Sequence, residues 1–398
     1  MKKNIGILFP ASRKMGVFQY GLGIAEGLIN HFSDFDYTIL HFSEESPKEF
    51  LKINSSAGVK FIALDNRPNN FLGKIKSLAN ILIGSPIFIT NKKNRKILES
   101  NKMDLLIIPF PLLFGFENKV PYIVSIPDIM HKFYPKFPEY NFSARVKRDF
   151  VYGLSTKNAI FSVVDSEQGK EHLQRFYNVP AEKIKPIPYI PPGYVYDLKN
   201  MEAGEAENIL KKYKLPDNFI FYPAQFWHHK NHLRLIRALQ IIKEEKHIEV
   251  KLVLTGNPGA NNENFKKVMD LVKEAKMESQ IFHLGYVDDK EIVALYKKST
   301  ALVFPTLLEP TNIPPLEALV LGKPVLCSFF QENKKQVGNA GVFYDPFSER
   351  DMAEKIYQFW SSEELKKTLV EFAKEKSKEI TVESHAKKWG AVVSEALK

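Results

Sequence analysis

The chain has 398 residues, 44% hydrophobic and 26% charged, an ordinary globular composition with length for two domains of about 150–200 residues each. Disordered, collagen-like and disulfide-scaffold classes are excluded, the last because Cys327 is the only cysteine. The net charge of +10 sits in the first half, where residues 1–200 hold 27 Lys+Arg against 18 Asp+Glu while the rest hold 29 against 28; with no zinc-finger spacing, RNP-type aromatic run or basic zipper, nucleic acid is set aside as a partner.

The apolar run Ile5-Gly6-Ile7-Leu8-Phe9 has the length of a buried strand and is too short for a signal peptide. After a turn, residues 17–32 have helical periodicity. Strand-like runs follow at 37–42, 60–64, 105–109, 122–126 and 159–164, separated by helix-length segments, which predicts a parallel sheet covered on both faces. Four prolines and a glycine between Ile184 and Tyr194 predict an extended linker. A second strand–helix series starts at 219–222 and continues at 251–254, 281–284, 301–304, 324–326 and 341–344, and the charged segment 363–397 reads as surface helices. No stretch reaches the ~18 apolar residues of a membrane span, so a cytoplasmic chain with at most peripheral contact to the inner face of the cell membrane is expected. Doubly wound sheets bind ligands beyond the carboxyl ends of their strands, which directs attention to the loops there and to a cleft between two such domains.

In Phe304-Pro305-Thr306-Leu307-Leu308-Glu309-Pro310-Thr311-Asn312-Ile313-Pro314-Pro315-Leu316-Glu317 a strand ends, a proline-rich loop follows and a helix starts near Pro314 or Pro315. Amides at a helix start attract anions, and a carboxylate beside them suits a ligand that also carries sugar hydroxyls; read only as local structure, Glu317 complements the helix dipole and Glu309 caps a loop. A second segment, Tyr222-Pro223-Ala224-Gln225-Phe226-Trp227-His228-His229-Lys230-Asn231-His232, also runs from strand to helix. Its histidines lack a Cys or carboxylate at ligand spacing, so no zinc site is expected. Gly21-Leu22-Gly23-Ile24-Ala25-Glu26-Gly27 has a spacing one residue too long for a dinucleotide fingerprint and lies inside a helical run, which points to packing and against an NAD-linked enzyme. Asp34-Phe35-Asp36 reads as a turn before a strand, and no essential metal or other cofactor is expected. Basic and apolar residues interleave at 70–83, followed by Lys92-Lys93-Asn94-Arg95-Lys96, and form a candidate membrane-facing helix.

The E-x7-E spacing of Glu309 and Glu317 resembles the donor-site signature of retaining glycosyltransferases of family 4, the group 1 family with the GT-B fold. The resemblance continues in His283-Leu284-Gly285-Tyr286-Val287, in Gly338-Asn339-Ala340-Gly341, in Pro127-Asp128-Ile129-Met130-His131, and in Val164-Asp165-Ser166-Glu167, so that it covers nearly the whole chain. It implies an α/β GT-B architecture of two doubly wound Rossmann-like domains facing each other across a cleft. Residues 1–190 would bind the acceptor, 191–216 form a linker, 217–375 bind the nucleotide sugar, and a helix in 376–398 crosses back to the first domain. It also implies roles: Glu317 for the nucleotide ribose, Glu309 for donor-sugar hydroxyls, the amides of Thr311, Asn312 and Ile313 for sugar or phosphate, Lys230 for the leaving diphosphate, Asp128 for the donor sugar, and Gly16 for a flexible loop near phosphate and acceptor. Gln225 stands where the family has an arginine, Pro127 where it often has a histidine, and Pro310 and Asn312 where it has glycines. His131 is the nearest histidine to the second of these, and neither it nor His228 or His229 is decided as catalytic. The implied reaction moves a sugar from a nucleotide-diphosphate donor to a hydroxyl of a glycan or lipid-linked acceptor in cell-surface polysaccharide synthesis, with retained configuration and no protein nucleophile. The replaced arginine and histidine also leave room for a catalytically silent sugar- or nucleotide-binding subunit.

Overall fold

The computed structural model describes residues 2–10, 16–42, 47–53, 58–65, 75, 79, 83, 91–137, 140–258, 262–307 and 312–398. The chain divides into two compact units, the first of Met1–Pro135, Tyr140–Tyr189 and Val382–Lys398, the second of Lys136–Glu139 and Ile190–Thr381.

The first unit is built on β1 (Asn4–Phe9), β2 (Asp36–His41), β3 (Lys60–Ala63), β4 (Leu105–Ile108), β5 (Tyr122–Ser125), β6 (Phe161–Val164) and β7 (Ile184–Pro186). They form one parallel sheet in the order β3-β2-β1-β4-β5-β6-β7. Alternate residues of each strand enter opposite cores: Ile5, Ile7, Phe9, Leu105 and Ile107 pack on one face, Leu8, Leu106 and Ile108 on the other. That is the period of two expected where both faces are covered. β7 lies inside the proline-rich stretch, which its edge position permits because Pro186 has no N–H to lose from an inner ladder.

The helices Gly16–His31 and Val382–Ala396 pack together over the first of these cores. Trp389, Val392 and Val393 are buried there, so the last helix is a core element and not the surface helix its charge pattern predicts. A Cβ on Gly27 would stand 3.1 Å from the Cβ of Ala386, which gives the glycine series in this helix a packing reason. Asp34 lies in the turn before β2, and Asp36 opens that strand. The interleaved stretch 70–83 lies outside the described residues except for Ile75, Ala79 and Ile83.

The second unit holds β8 (Ile220–Pro223), β9 (Leu252–Thr255), β10 (Ile281–His283), β11 (Ala301–Phe304), β12 (Val325–Ser328) and β13 (Gly341–Tyr344), again all parallel, in the order β10-β9-β8-β11-β12-β13. Residues 191–216, read from the sequence as a linker, contain the helices Gly193–Leu198 and Ala203–Tyr213. In each sheet the order of strand addition reverses once, between β1 and β4 and between β8 and β11, and such switch points open a crevice at the carboxyl ends of the strands. No described helix is long and apolar enough to cross a membrane.

Candidate active site

The switch point of the second sheet is lined by the loop after β8, which carries Gln225 and Lys230, and the loop after β11, which leads to Glu317. Asn231 fastens the two together. It adopts a left-handed conformation with φ 61°, and its Nδ2 donates to the carbonyls of Pro305 at 3.0 Å and Pro346 at 2.8 Å. The N–H of Leu307 donates to the His229 carbonyl at 2.8 Å, and the Tyr222 hydroxyl donates to the Lys230 carbonyl at 2.8 Å. Lys230 is thereby held at the end of β11, with its Nζ 5.4 Å from the Phe304 ring centroid. Gly256, after β9, lets this region close up: a Cβ there would meet the Ala224 carbonyl oxygen at 2.5 Å, and its φ is +121°. Gln225 is exposed, and its Oε1 accepts from Trp227 Nε1 at 2.6 Å.

The helix Ile313–Val320 begins one residue before the prolines. Pro314 and Pro315 have no N–H, so Ile313 and Leu316 supply the amides of its first turn. Asn312 is buried and extended, with φ −137°, and does not use the left-handed freedom that a glycine at this position would offer. Its N–H donates to Gln336 Oε1 at 3.2 Å, Gln336 Nε2 donates back to its carbonyl at 2.8 Å, and its Nδ2 donates to Asn333 Oδ1 at 3.3 Å. The amide expected to meet sugar or phosphate is therefore engaged by Gln336. Ile313 opens the helix half-buried, while Glu309 and Thr311 lie outside the described residues.

Glu317 is buried and accepts two hydroxyl hydrogen bonds, from Tyr194 to Oε1 at 3.0 Å and from Tyr296 to Oε2 at 2.7 Å. Burial pushes its carboxyl above the ordinary range; the two hydroxyls pull it back and the charge of Asp289 adds to the rise. Asp289 is itself raised, by burial and by Asp288. Tyr286 is 80% exposed and its hydroxyl is among the groups that raise Tyr194.

One histidine of this region is enclosed in the core of the second unit. His232 is buried, stacked on Phe226 at 4.4 Å and close to Tyr222 at 4.8 Å. His229 is buried and His228 half-buried. Among the described residues no group of three or more His, Cys, Asp or Glu is placed to hold a metal ion. Burial, then the charge of Lys230, pushes His232 down to about 3. From pH 6.5 down to about 3 the unfolded chain therefore binds a proton that the folded chain does not, and stability falls by about 1.4 kcal/mol per pH unit. His232→Phe, which preserves the stack, is expected to flatten the acid limb of the unfolding midpoint measured between about pH 7 and 4. An unchanged limb would refute the assignment. His385, pushed to about 3 by its own burial, and His131, also lowered by burial, leave part of the acid sensitivity in place in the first unit.

In the first unit Asp128 follows β5, where its Oδ1 accepts from the N–H of Met130 at 3.0 Å and faces Arg148 at 3.8 Å. Gly16 opens its helix in an exposed position, and a Cβ on it would have nothing within 4 Å. His131 does not join them at the surface. Its Nε2 contacts Asp149 Oδ1 at 3.0 Å and the Tyr177 hydroxyl at 3.1 Å, its side chain is fully enclosed, and burial lowers its pKa. Lys230, Gln225, Asn312, Ile313 and Glu317 are thus gathered in the second unit, and Gly16, Asp128 and His131 belong to the first. Tyr194, Tyr296, Asn333 and Gln336 have no motif of their own, and Tyr286 lies in a segment that carries the family resemblance without a role assigned to it; Asn231 carries a local signal, an asparagine directly before a helix, although its side chain spans two loops and caps nothing.

Residues 205–376 match the family model for glycosyl transferases group 1, and the chain has the GT-B fold. The O-antigen chain mannosyltransferase B of Escherichia coli is 28% identical over 219 residues, 52% of this chain and 54% of that protein. The O-antigen chain mannosyltransferase RfbU of Salmonella typhimurium is 24% identical over 58% of this chain and 59% of its own length. The chain spans little more than half the length of these two curated relatives. HepE of Anabaena, solved in complex with UDP and glucose, superposes with a TM-score of 0.75 over 99% of this chain and 100% of its own, at 17% identity.

Proposed function

We propose that the chain is a glycosyltransferase that moves a hexose from a nucleotide-diphosphate sugar to a hydroxyl of a glycan or lipid-linked acceptor in cell-surface polysaccharide synthesis, with retained configuration and without an essential metal. The observation that carries this is the convergence of the Lys230 turn and the Glu317 helix at the switch point of the second sheet, within the group 1 domain. The mannosyltransferase relatives favour the polysaccharide setting, and the UDP complex of HepE favours a nucleotide at the second unit. Glu317 takes the ribose hydroxyls and Lys230 faces the diphosphate. Glu309 and Asp128 take the donor sugar, and Thr311 and Ile313 supply amides along the same loop. In the transfer the acceptor oxygen bonds to the anomeric carbon, the bond from that carbon to the diphosphate oxygen breaks, and the acceptor proton passes to the departing phosphate. No protein nucleophile enters.

The test is a thermal-shift panel with UDP, GDP, ADP, dTDP and CMP, followed by release of nucleoside diphosphate from UDP-glucose and GDP-mannose. A ligand bound only by the folded state raises the midpoint. One nucleotide standing out, with its diphosphate released on addition of acceptor extract, is the expected result. Binding without release from any donor identifies a silent binding subunit, and no shift with any nucleotide refutes the donor site.

Tyr286, exposed on the loop between β10 and the helix Asp289–Lys298 that carries Tyr296, is assigned to the nucleobase. Stacking of a base on an aromatic side chain is worth about 1–3 kcal/mol on alanine substitution, so Tyr286→Ala is expected to weaken nucleotide binding by about 5- to 150-fold in calorimetry. The unfolding midpoint should stay in place because the ring is exposed; an unaltered Kd removes the base from this position.

A further inference from the structure

Among the described residues, exposed aromatic side chains such as Tyr286, Phe329 and Phe347 lie on separate loops. The helix Phe142–Asn158 differs. Phe142, Val146 and Phe150 follow one another at i, i+4 and i+8, which sets them along a single stripe, and they are 75%, 36% and 45% exposed. Lys157 continues the stripe. Lys147, also exposed, lies on one flank and Arg145 on the other, with its guanidinium 5.9 Å from the Phe142 ring centroid. The opposite face is fastened to the unit through buried Tyr152, Ser155 and Thr156, and Tyr152 meets His131 edge-on at 5.4 Å.

Charge selects what covers the open face. The helix carries four cations, Arg145, Lys147, Arg148 and Lys157, against the single carboxylate of Asp149. That carboxylate is already taken up by Lys132 at 2.7 Å, His131 and Tyr177, so it offsets little of the charge at the stripe. The surrounding half of the chain is strongly basic. A stripe of single side chains on one helix meets a lipid surface readily: rings enter the headgroup–acyl boundary while the cations beside them meet lipid phosphates. We propose that the helix Phe142–Asn158 docks the first unit on an anionic lipid surface, with Phe142, Val146 and Phe150 inserted and Arg145, Lys147 and Lys157 against the headgroups. The docking uses no donor or acceptor and stands apart from the transfer reaction, but it brings the acceptor-binding unit to the membrane where a lipid-linked acceptor is held.

The experiment is co-sedimentation of the full chain with sucrose-loaded vesicles of phosphatidylcholine, with and without about one third phosphatidylglycerol. Binding is expected to the anionic vesicles and to decline with salt. F142S/F150S should lower the partition coefficient by about 10- to 100-fold with its unfolding midpoint and nucleotide-induced shift preserved, since both rings are exposed. K147E/K157E should remove the preference for anionic lipid. The proposal is overturned if the chain does not sediment with anionic vesicles, if it sediments equally with neutral ones, or if F142S/F150S partitions as the parent does. It is equally overturned if F142S/F150S leaves lipid binding intact while dissociating an oligomer seen by light scattering, because the stripe is then an interface between copies.

Discussion

Lys230→Ala is expected to lower kcat for sugar transfer by about 10²–10³-fold, with a much smaller change in donor KM, because a cation aimed at a leaving group stabilises charge that is largest in the transition state. When the anomeric carbon leaves the diphosphate, the β-phosphate gains a negative charge. Gln225, where the resembling family places a second cation, contributes none. The lysine is well placed to carry that work alone: its carbonyl is anchored by Tyr222, the following Asn231 is pinned to Pro305 and Pro346, and its ammonium lies over the Phe304 ring. Steady-state kinetics with the nucleotide sugar identified by thermal shift are the check. Parental kcat in the alanine variant would remove Lys230 from the transfer step, and a loss confined to KM would make it a binding residue only.

The second large effect is expected at Glu317. Glu317→Gln should weaken nucleotide binding by about 10²-fold, since hydrogen bonds from two ribose hydroxyls to a carboxylate are worth about 1.5–3 kcal/mol each when the acceptor is charged. The fold should not suffer. The buried carboxyl of Glu317 is raised above its ordinary value of 4.5, so the folded chain holds that proton more tightly than the unfolded one, and stability declines as pH rises through the interval between the two values. Above that interval the buried charge remains a constant cost, which the neutral amide removes while still meeting the hydroxyls of Tyr194 and Tyr296. The variant's unfolding midpoint near pH 7.5 should therefore equal or exceed that of the parent. In the parent, nucleotide affinity should fall on acidification at a higher pH than an ordinary carboxylate would give, and in the variant this dependence should vanish. Unchanged affinity in Glu317→Gln would sink the ribose assignment, and a collapsed midpoint would show the carboxylate to be structural.

Much of this architecture is legible in the amino-acid sequence. Strand runs at 301–304 and 341–344 coincide with β11 and β13, and the other runs, β7 apart, fall within a residue or two of their strands, because short apolar segments between helical periods are dictated by burial on both faces of a parallel sheet. The E-x7-E spacing and Lys230 are visible for a similar reason: a loop that ends a strand and starts a helix is written in consecutive residues. The prolines at 186 and 192 mislead locally, since an edge strand and the residue before a helix both accept proline.

The partners that give the site its chemistry are not visible there. Glu317 receives its hydroxyls from positions 123 and 21 residues away, Asn312 is held by Asn333 and Gln336 from another helix, and His131, close in sequence to a site carboxylate, turns inward to Asp149 and Tyr177. Periodicity and motif spacing report which element a residue occupies and which face it shares, properties of neighbouring residues. Hydrogen-bond partners, enclosed volume and the displaced pKa of a buried carboxyl depend on segments that meet only when the sheet has formed, and no local pattern encodes them.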